Sequence, residues 1–570
     1  MSPAPPWSVA EVDPAAVERL RRAHRLGPVT AGCLLNRGLS EPGEVSAFLR
    51  PRLADLALPD GMADLEPAAG RTARAVTARE RIGVFGDYDV DGVTSAALVV
   101  DLLRRLGASV GCELADRFGG GYGLTEAAVE RFAEGGCNLL IVLDCGTSDR
   151  PALLRAAELE LDTIVIDHHR PAAEPPPATA FVNPRREDCR FVDREMAAVG
   201  LAFYFAAAVR RRLADSGVAS AAGLDPRELL DLVALGTVAD LVPLRGNNRI
   251  LTARGLERLG SGTRPGLRAL VDRTRIGSGP VRTDHVAFQL APRLNAAGRL
   301  GSPGEALELL LASDSREAAR LADRLEHLSN RRRELERGVA ARARRETADR
   351  GRDSDPLIVV WGDGWHRGVI GIVAARLAEE LDRPAFVVGF DESGVGTGSA
   401  RGRGRLDVHR ALSAAADQLE RFGGHREAAG FTVGRERIED LRRKLLEHAG
   451  PLVEGERAST TVCDSTVGAA ELNAELLAEL GRLAPFGKSN PEPLLDIAGL
   501  HVLRGRVVGT DHLKLELRTP SGPISAFGPR LGRCAADLPR VVRVAAALGA
   551  DEWKGGGALE LRLAEAPIPS

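Results

Sequence analysis

The sequence predicts an α/β protein of several domains: two α/β lobes joined by a long helix, followed by an OB-like β-barrel. Three observations predict it. Apolar runs at 82–86, 139–143 and 163–166 alternate with helical stretches, as in a parallel sheet with crossover helices. A heavily charged helical pattern without proline after Pro303 extends to about 350, as a helix bridging two lobes would. From about 458 the pattern changes to short strands separated by turns. A chain of 570 residues is too long for one core. We divide it into an N-terminal helical cap (1–70), a first α/β lobe (71–260), a connecting helical region (261–350), a second α/β lobe (351–455) and a barrel (456–570).

In the cap, Ser40 and the acidic residues after it predict a helix over Val45, Phe48 and Leu49, ended by Pro51. Nothing there suggests chemistry. The first lobe opens on RIGVFGDYDVDGVTSAALVVDLLRRLG (81–107). Its apolar run breaks at Gly86 into Asp87, Asp89 and Asp91, then an amphipathic helix carries Leu98, Leu102, Leu103 and Leu106. Three carboxylates in five residues repel one another. At about 4 Å and an effective dielectric near 20, each pair costs roughly 4 kcal/mol. Such a turn is either well solvated or binds a cation. The ends of the other runs decide between these: LLIVL ends in Asp144, TIVI ends in Asp167-His168-His169, and the helical run ELLDLVALGTVADLVPL delivers Asp240. In open parallel sheets ligands bind beyond the carboxyl ends of the strands. Acidic and imidazole residues therefore converge on one place, as a metal site requires.

DPLIVVWGDGW (355–365) opens the second lobe, whose glycine-rich GVGTGSARGRGR and FGGHREAAG suit close approach of backbone to phosphates. In the last domain LLDIAGLHVLRGRVVG, HLKLELRT, GPISAFG, RVVRVAAALG and GGALELRLAE are five strands fitting a barrel suited to single-stranded nucleic acid. Aromatic residues are only 4% of the chain, so Phe527 and Trp553 are the stacking candidates and Arg504, Arg506 and Lys514 the cationic ones.

Composition narrows the class. A charge of −3 neither supports nor excludes nucleic acid, since a basic groove can be offset by acidic surface. Seven cysteines without a C-x-x-C pair argue against a disulfide framework or structural zinc. With no long apolar run and no signal-like start, the expectation is a reduced, cytoplasmic protein.

GDYDVDG, LDCG, DHH and GTVADLVPL resemble, in order, the four phosphoesterase motifs of the DHH family. FQLAPRLNAAGRL (288–300), WHRGVIGIVAARL (365–377), GSAR (398–401), GGHREAAG (423–430) and APFGKSN (484–490) narrow the resemblance to the RecJ single-strand-specific exonucleases. It implies a DHH phosphoesterase lobe, a DHH-associated substrate-binding lobe and an OB domain. It also implies a metal-dependent exonuclease that acts 5′-to-3′ on single-stranded DNA, releases nucleoside 5′-monophosphates and serves repair and recombination.

The resemblance implies Asp89, Asp144, His168 and Asp240 as metal ligands, with Asp87 and Asp91 completing a second metal site and His169 on the scissile phosphate. Five aspartates carry a formal −5, which two divalent ions nearly neutralise. Mixed carboxylate and imidazole donors suit Mn²⁺ better than Mg²⁺. By the same resemblance Arg117, Ser399 and Arg401 receive a 5′ phosphate and Tyr122 stacks on a base. Arg293, Asn295, His366 and His425 would contact the backbone near the cut. Ordinary readings stand beside these: ion-paired arginines for Arg293 and Arg401, packing for Tyr122. The implied partners are single-stranded DNA, a single-stranded-DNA-binding protein and a RecQ-type helicase, and the expected state is a monomer. Departures from the family pattern, Gly120 before the GYG segment and Ser489 where glycine is usual, touch no proposed ligand. Two alternatives remain: a DHH enzyme with a dinucleotide or pyrophosphate substrate, and a catalytically dead scaffold. The barrel speaks against the first and the full acidic and histidine set against the second.

Overall fold

A computed structural model describes residues 5–119, 121–276, 279–352, 355–453, 461–551 and 557–570, so Gly120 and Trp553 lie outside the described residues. The first lobe is built on five parallel strands in the order Ser109–Leu114, Arg81–Gly86, Leu139–Leu143, Asp162–Ile166, Ala180–Val182. The three inner strands are almost wholly buried, which is why they read as unbroken apolar runs. From Arg81–Gly86 the chain goes to Ser109–Leu114 on one side and then returns to Leu139–Leu143 on the other. Between Arg81–Gly86 and Leu139–Leu143 lies the switch point of the sheet, where a crevice opens beyond the strand ends.

The helix Val90–Arg105 departs from expectation: it is buried nearly all round, not amphipathic. It is enclosed by the sheet and by the helices Ala198–Asp215 and Leu230–Ala239. Leu98, Leu102 and Leu103 are fully buried, each contributing roughly 1.5–3 kcal/mol. A central element under a second layer of helices needs no polar face.

The connecting region is not one helix. Gly304–Leu311 stops at Ala312, and Asp314 restarts the chain by accepting hydrogen bonds from the Arg316 and Glu317 amides. Ser315–Asp349 then runs unbroken, about 50 Å long at 1.5 Å per residue. Its first half buries Ala318, Leu321, Ala322 and Leu325 in the core of the first lobe. Its second half buries Val339, Ala340 and Ala343 against Val369, Val373 and Leu377 of the second lobe. One helix therefore belongs to two cores.

The second lobe is a mixed sheet in the order Arg421–His425, Ala428–Gly434, Val395–Arg401, Ala385–Phe390, Ile358–Asp363. Its glycine-rich segments are strands. A β-carbon on Gly398 would lie 2.2 Å from the Phe431 ring, and one on Gly396 2.6 Å from the Phe390 ring. These two glycines make room for aromatic packing.

The last domain is a closed five-stranded barrel, and the five predicted strands are borne out: Leu495–Val508, His512–Thr519, Gly522–Gly528, Leu559–Leu563 and Val541–Ala550, in ring order. Register shifts at Val502/Arg504 and Ile497/Leu500 bend Leu495–Val508 so that it pairs with both neighbours and closes the ring. In His512–Thr519 alternate residues Leu513, Leu515 and Leu517 point inward. The N-terminal segment shares this core: Leu20, Val29, Leu34 and Val45 pack with Leu495, Leu513 and Val542. It also contributes a strand, Trp7–Val9, parallel to Thr461–Cys463. Its helix at Pro42–Leu49 is preceded by Glu41, without a side-chain cap from Ser40.

Candidate metal centre and phosphate site

The acidic turn folds for a local reason. Asp89 is the N-cap of Val90–Arg105, its Oδ1 accepting from the amides of Asp91 (2.9 Å) and Gly92 (3.1 Å). A β-carbon on Gly92 would lie 2.5 Å from the Asp87 carbonyl, so only glycine lets the turn close. Asp91, already in the helix, accepts from the amides of Ala198 (2.7 Å) and Val199 (3.0 Å), capping a second helix from across the core. Asp144 ends its strand with φ +61, a left-handed conformation that costs about 1–2 kcal/mol for a residue with a β-carbon. Asp240 is the C-cap of Leu230–Ala239.

These elements bring one donor atom each from Asp87, Asp89 and Asp144 within 4.8 Å of one another, and likewise from Asp91, His168 and Asp240. His168 Nε2 joins the two groups, 3.3 Å from Asp144 Oδ1, 3.6 Å from Asp240 Oδ2 and 4.0 Å from Asp91 Oδ2. Burial first, then neighbouring carboxylates, push Asp87 and Asp144 well above the usual range and Asp91 and Asp240 to about 7. Burial also lowers His168, leaving a neutral imidazole. Asp87 Oδ1, Asp144 Oδ1 and both His168 ring nitrogens are buried without a hydrogen-bond partner. Unsatisfied carboxylate oxygens and neutral imidazole nitrogens facing one another are the donor set of a divalent cation, so these residues fit the metal the sequence implies.

Asp167, absent from the predicted site residues, organises the histidines. It is buried, and it accepts from the amides of His168 (2.7 Å), His169 (3.1 Å) and Thr147 (3.2 Å) and from His169 Nδ1 (2.7 Å). Burial works against its charge, but these bonds outweigh it and hold the carboxyl below its usual range. Burial opposes charge on His169 too, yet Asp167 raises it to about 9, so the half-exposed imidazole is protonated at neutral pH. The sequence contained the signal, since Asp167 stands at the strand end before the two histidines. Buried Asn183 donates to the His169 carbonyl (2.9 Å), and the Tyr122 hydroxyl donates to the Asp144 carbonyl (3.1 Å). Tyr122 also packs edge-on against His169 at 5.6 Å while remaining 48% exposed, so it supports the metal loop and still offers a ring face.

Beside the Asp87 edge, three arginines meet. Arg117 lies over the Tyr88 ring at 4.0 Å, with Nε buried and unpartnered. Arg401 bonds Ser399 Oγ (3.0 Å) on the same strand face, and Arg299 donates to the Gly368 carbonyl (3.2 Å). None of the three is ion-paired among the described residues. Burial and then Arg117 lower Arg401, and burial, Arg117, Arg332 and Arg401 lower Arg299 to about 10. Guanidiniums held together against their own repulsion present the forked donors that suit a phosphate. Arg117, Ser399 and Arg401 thus lie together, and Arg299 was missed although it closes the motif FQLAPRLNAAGRL.

The remaining predicted contacts are dispersed. Arg293 is turned away, paired with Glu326 and bonded to the Gln289 (2.6 Å) and Arg273 (3.2 Å) carbonyls, as an ordinary ion-paired arginine would be. Asn295 is half-buried on the same helix. His366 caps Arg367–Leu381 through the Gly368 amide (3.1 Å) and meets Phe118 of the first lobe edge-on at 5.8 Å. His425 is exposed at a strand end. In the barrel Lys514 is paired with Glu560, and Phe527 packs on His512 at 5.5 Å, while Arg504 and Arg506 are exposed.

A metal-binding crevice at the sheet switch point, facing a second lobe across a long helix, defines a two-lobed phosphoesterase of the DHH kind. The DHH family, N-terminal domain, matches residues 81–237, the DHHA1 domain 354–449 and the RecJ OB domain 463–565. The single-stranded-DNA-specific exonuclease RecJ of Bacillus subtilis is 34% identical over 568 residues, covering 99% of this chain and 71% of that one. That of Escherichia coli K12 is 35% identical over 511 residues, 84% and 86% of the two chains. The crystal structure of Thermus thermophilus RecJ in complex with Mn²⁺ superposes with a TM-score of 0.82 at 32% identity, covering 98% of this chain and 79% of that one. The chain belongs to the RecJ family.

Proposed function

We propose that the protein is a metal-dependent exonuclease that removes nucleoside 5′-monophosphates from the 5′ end of single-stranded DNA, in repair and recombination. One observation carries the reading: a buried cluster of unsatisfied carboxylate and imidazole donors adjoins arginines that form no ion pair among the described residues, with Arg117 beside Asp87 as the seam. RecJ relatives named as single-stranded-DNA-specific exonucleases, and the Thermus structures with Mn²⁺ and with Mg²⁺, support it.

Asp87, Asp89 and Asp144 would hold one ion and Asp91, His168 and Asp240 the other. Two divalent ions, when bound, activate water and stabilise the attacking and leaving oxygens of an in-line displacement. The chain's residues do the positioning. Arg117, Arg299, Arg401 and Ser399 seize the terminal 5′ phosphate, so the next phosphodiester falls on the acidic cluster. Protonated His169, fixed by Asp167, donates to a non-bridging oxygen of that phosphodiester. The water oxygen joins phosphorus and the P–O3′ bond breaks, so the nucleotide leaves with a 3′ hydroxyl. The shortened strand now begins with a 5′ phosphate, the group the arginines bind, and the cycle repeats. Within this reading the enzyme is a cytoplasmic monomer that uses Mn²⁺. A RecQ-type helicase supplies its strands and a single-stranded-DNA-binding protein guides it to them.

The test uses 5′-phosphorylated single-stranded DNA, labelled internally, with Mn²⁺, beside an Asp144→Ala variant and a matched duplex. We expect stepwise release of mononucleotides from the 5′ end, reduced on the order of 10³-fold in the variant and weak on duplex. Turnover of dinucleotides or pyrophosphate with no attack on long DNA would contradict the reading.

A further inference from the structure

We propose that Arg185 and Lys488 form a second phosphate-binding edge of the centre, holding the DNA strand on the 3′ side of the bond that is cut. The proposal rests on the nuclease reading above. Cleavage next to a 5′ phosphate seated at Arg117 sends the rest of the strand past the opposite donor group, Asp91, His168 and Asp240. That edge has its own cations.

Arg185 follows the edge strand Ala180–Val182. Its amide donates to Asn183 Oδ1 (2.9 Å), and Asn183 in turn holds the His169 carbonyl. Arg185 is thus anchored to a residue that also anchors the site. Lys488 comes from a different domain, on the loop Ala484–Asn490 that leads into the barrel. The Leu244 amide, four residues after Asp240, donates to the Lys488 carbonyl (2.9 Å), and Arg245 reaches the Ser489 carbonyl (3.3 Å). Arg249 is a positioning residue for this loop. Buried and without a carboxylate partner among the described residues, its guanidinium bonds the carbonyls of Leu483 (3.0 Å), Ala484 (2.6 Å) and Pro485 (3.3 Å). Asn490 binds the Leu483 and Pro485 carbonyls from the other side (2.9 and 2.8 Å).

Both side chains are exposed, and neither is ion-paired among the described residues. Hydrogen bonds of the fold tie both to the centre, Arg185 through Asn183 to His169 and Lys488 through Leu244 to the segment that follows Asp240. Cations meant only to offset the carboxylates would be in contact with them. Standing free at the rim, these two are placed for backbone phosphates. Because the barrel's own entry loop supplies one of them, docking of the barrel completes the site.

The test compares the full chain with Arg185→Ala, Lys488→Ala, the double variant and Lys488→Arg. Binding of a 5′-phosphorylated, 3′-labelled single strand is followed by fluorescence anisotropy across a salt series, with Ca²⁺ in place of Mn²⁺. We expect each alanine to weaken binding about 3–10-fold and to reduce the slope of log K against log salt by about 0.7, the double by about 1.4. Lys488→Arg restores the slope, and the melting shift produced by Mn²⁺ does not shrink in Lys488→Ala. Unchanged slopes, no salt-dependent binding by the parent chain, or a lost slope accompanied by a smaller Mn²⁺ shift would overturn the proposal. A parent chain that binds with the predicted slopes but hydrolyses no DNA would instead overturn the nuclease reading and leave this edge standing.

Discussion

Asp167 accepts four hydrogen bonds and clusters with Asp144, His168 and His169, and both histidines are oriented through it. Asp167→Asn keeps its shape and removes its charge. The His169 imidazolium then loses the partner that raises it to about 9, and kcat on single-stranded DNA should fall by about 10²–10³-fold. A variant within threefold of the parent would refute that role. The raised carboxyls make a second prediction. Asp91 and Asp240 stand at about 7 in the metal-free fold against an ordinary 3.8, so the fold keeps protons that the unfolded chain has released. Their contribution to stability is full below pH 3.8 and is lost as pH rises through 7. Mn²⁺ binds the deprotonated donors, so it should raise the melting temperature more at pH 8 than at pH 6. The reverse order would contradict the assignment. The meeting of Asp87, Asp144, His168 and Asp240 was legible because each stands just after an apolar strand or helical run, and strand ends of a parallel sheet converge. For Arg293 motif membership carries no information on which way a side chain turns, and of its two readings the fold shows the ion pair, with Glu326.

Among the elements, the strands Arg81–Gly86, Leu139–Leu143 and Asp162–Ile166 were readable from their buried runs. Ser109–Leu114 was not, because an edge strand half open to solvent lacks such a run, and Ala180–Val182 is only three residues long. The helix break at Ala312 was masked by continuous helical propensity, and tertiary packing with the Asp314 cap decided it. The loop Ala484–Asn490 gives a reason for the family's glycine at position 489: Ser489 has φ +63. Ser489→Gly should stabilise the protein by about 1 kcal/mol, the left-handed penalty of a β-carbon, measured by urea unfolding. No gain, or a loss, would mean that the serine side chain repays the strain.

For the whole molecule, the lobes meet where the helix Arg367–Leu381 abuts Arg299. A β-carbon on Gly368 would lie 2.0 Å from the Arg299 carbonyl, backbone against backbone with nothing free to swing aside. Gly368→Ala should force the lobes apart and cost about 1–3 kcal/mol. It should also weaken the preference for a 5′-phosphorylated over a 5′-hydroxyl strand at least tenfold, read as the ratio of the two kcat/KM values. An unchanged preference would uncouple the arginine site from the lobe junction. The division into lobes, bridge and barrel was legible from the change in hydrophobic period. That the N-terminal segment completes the barrel core was not, because contacts between residues more than 400 positions apart leave no local signal.

The central claim is that four separate stretches of chain build one centre for two ions. Anomalous scattering from crystals soaked in Mn²⁺ tests it most directly. The account predicts two peaks, one among Asp87, Asp89 and Asp144 and one among Asp91, His168 and Asp240, both lost in Asp144→Ala/His168→Ala. A single peak, or density away from these residues, would contradict it.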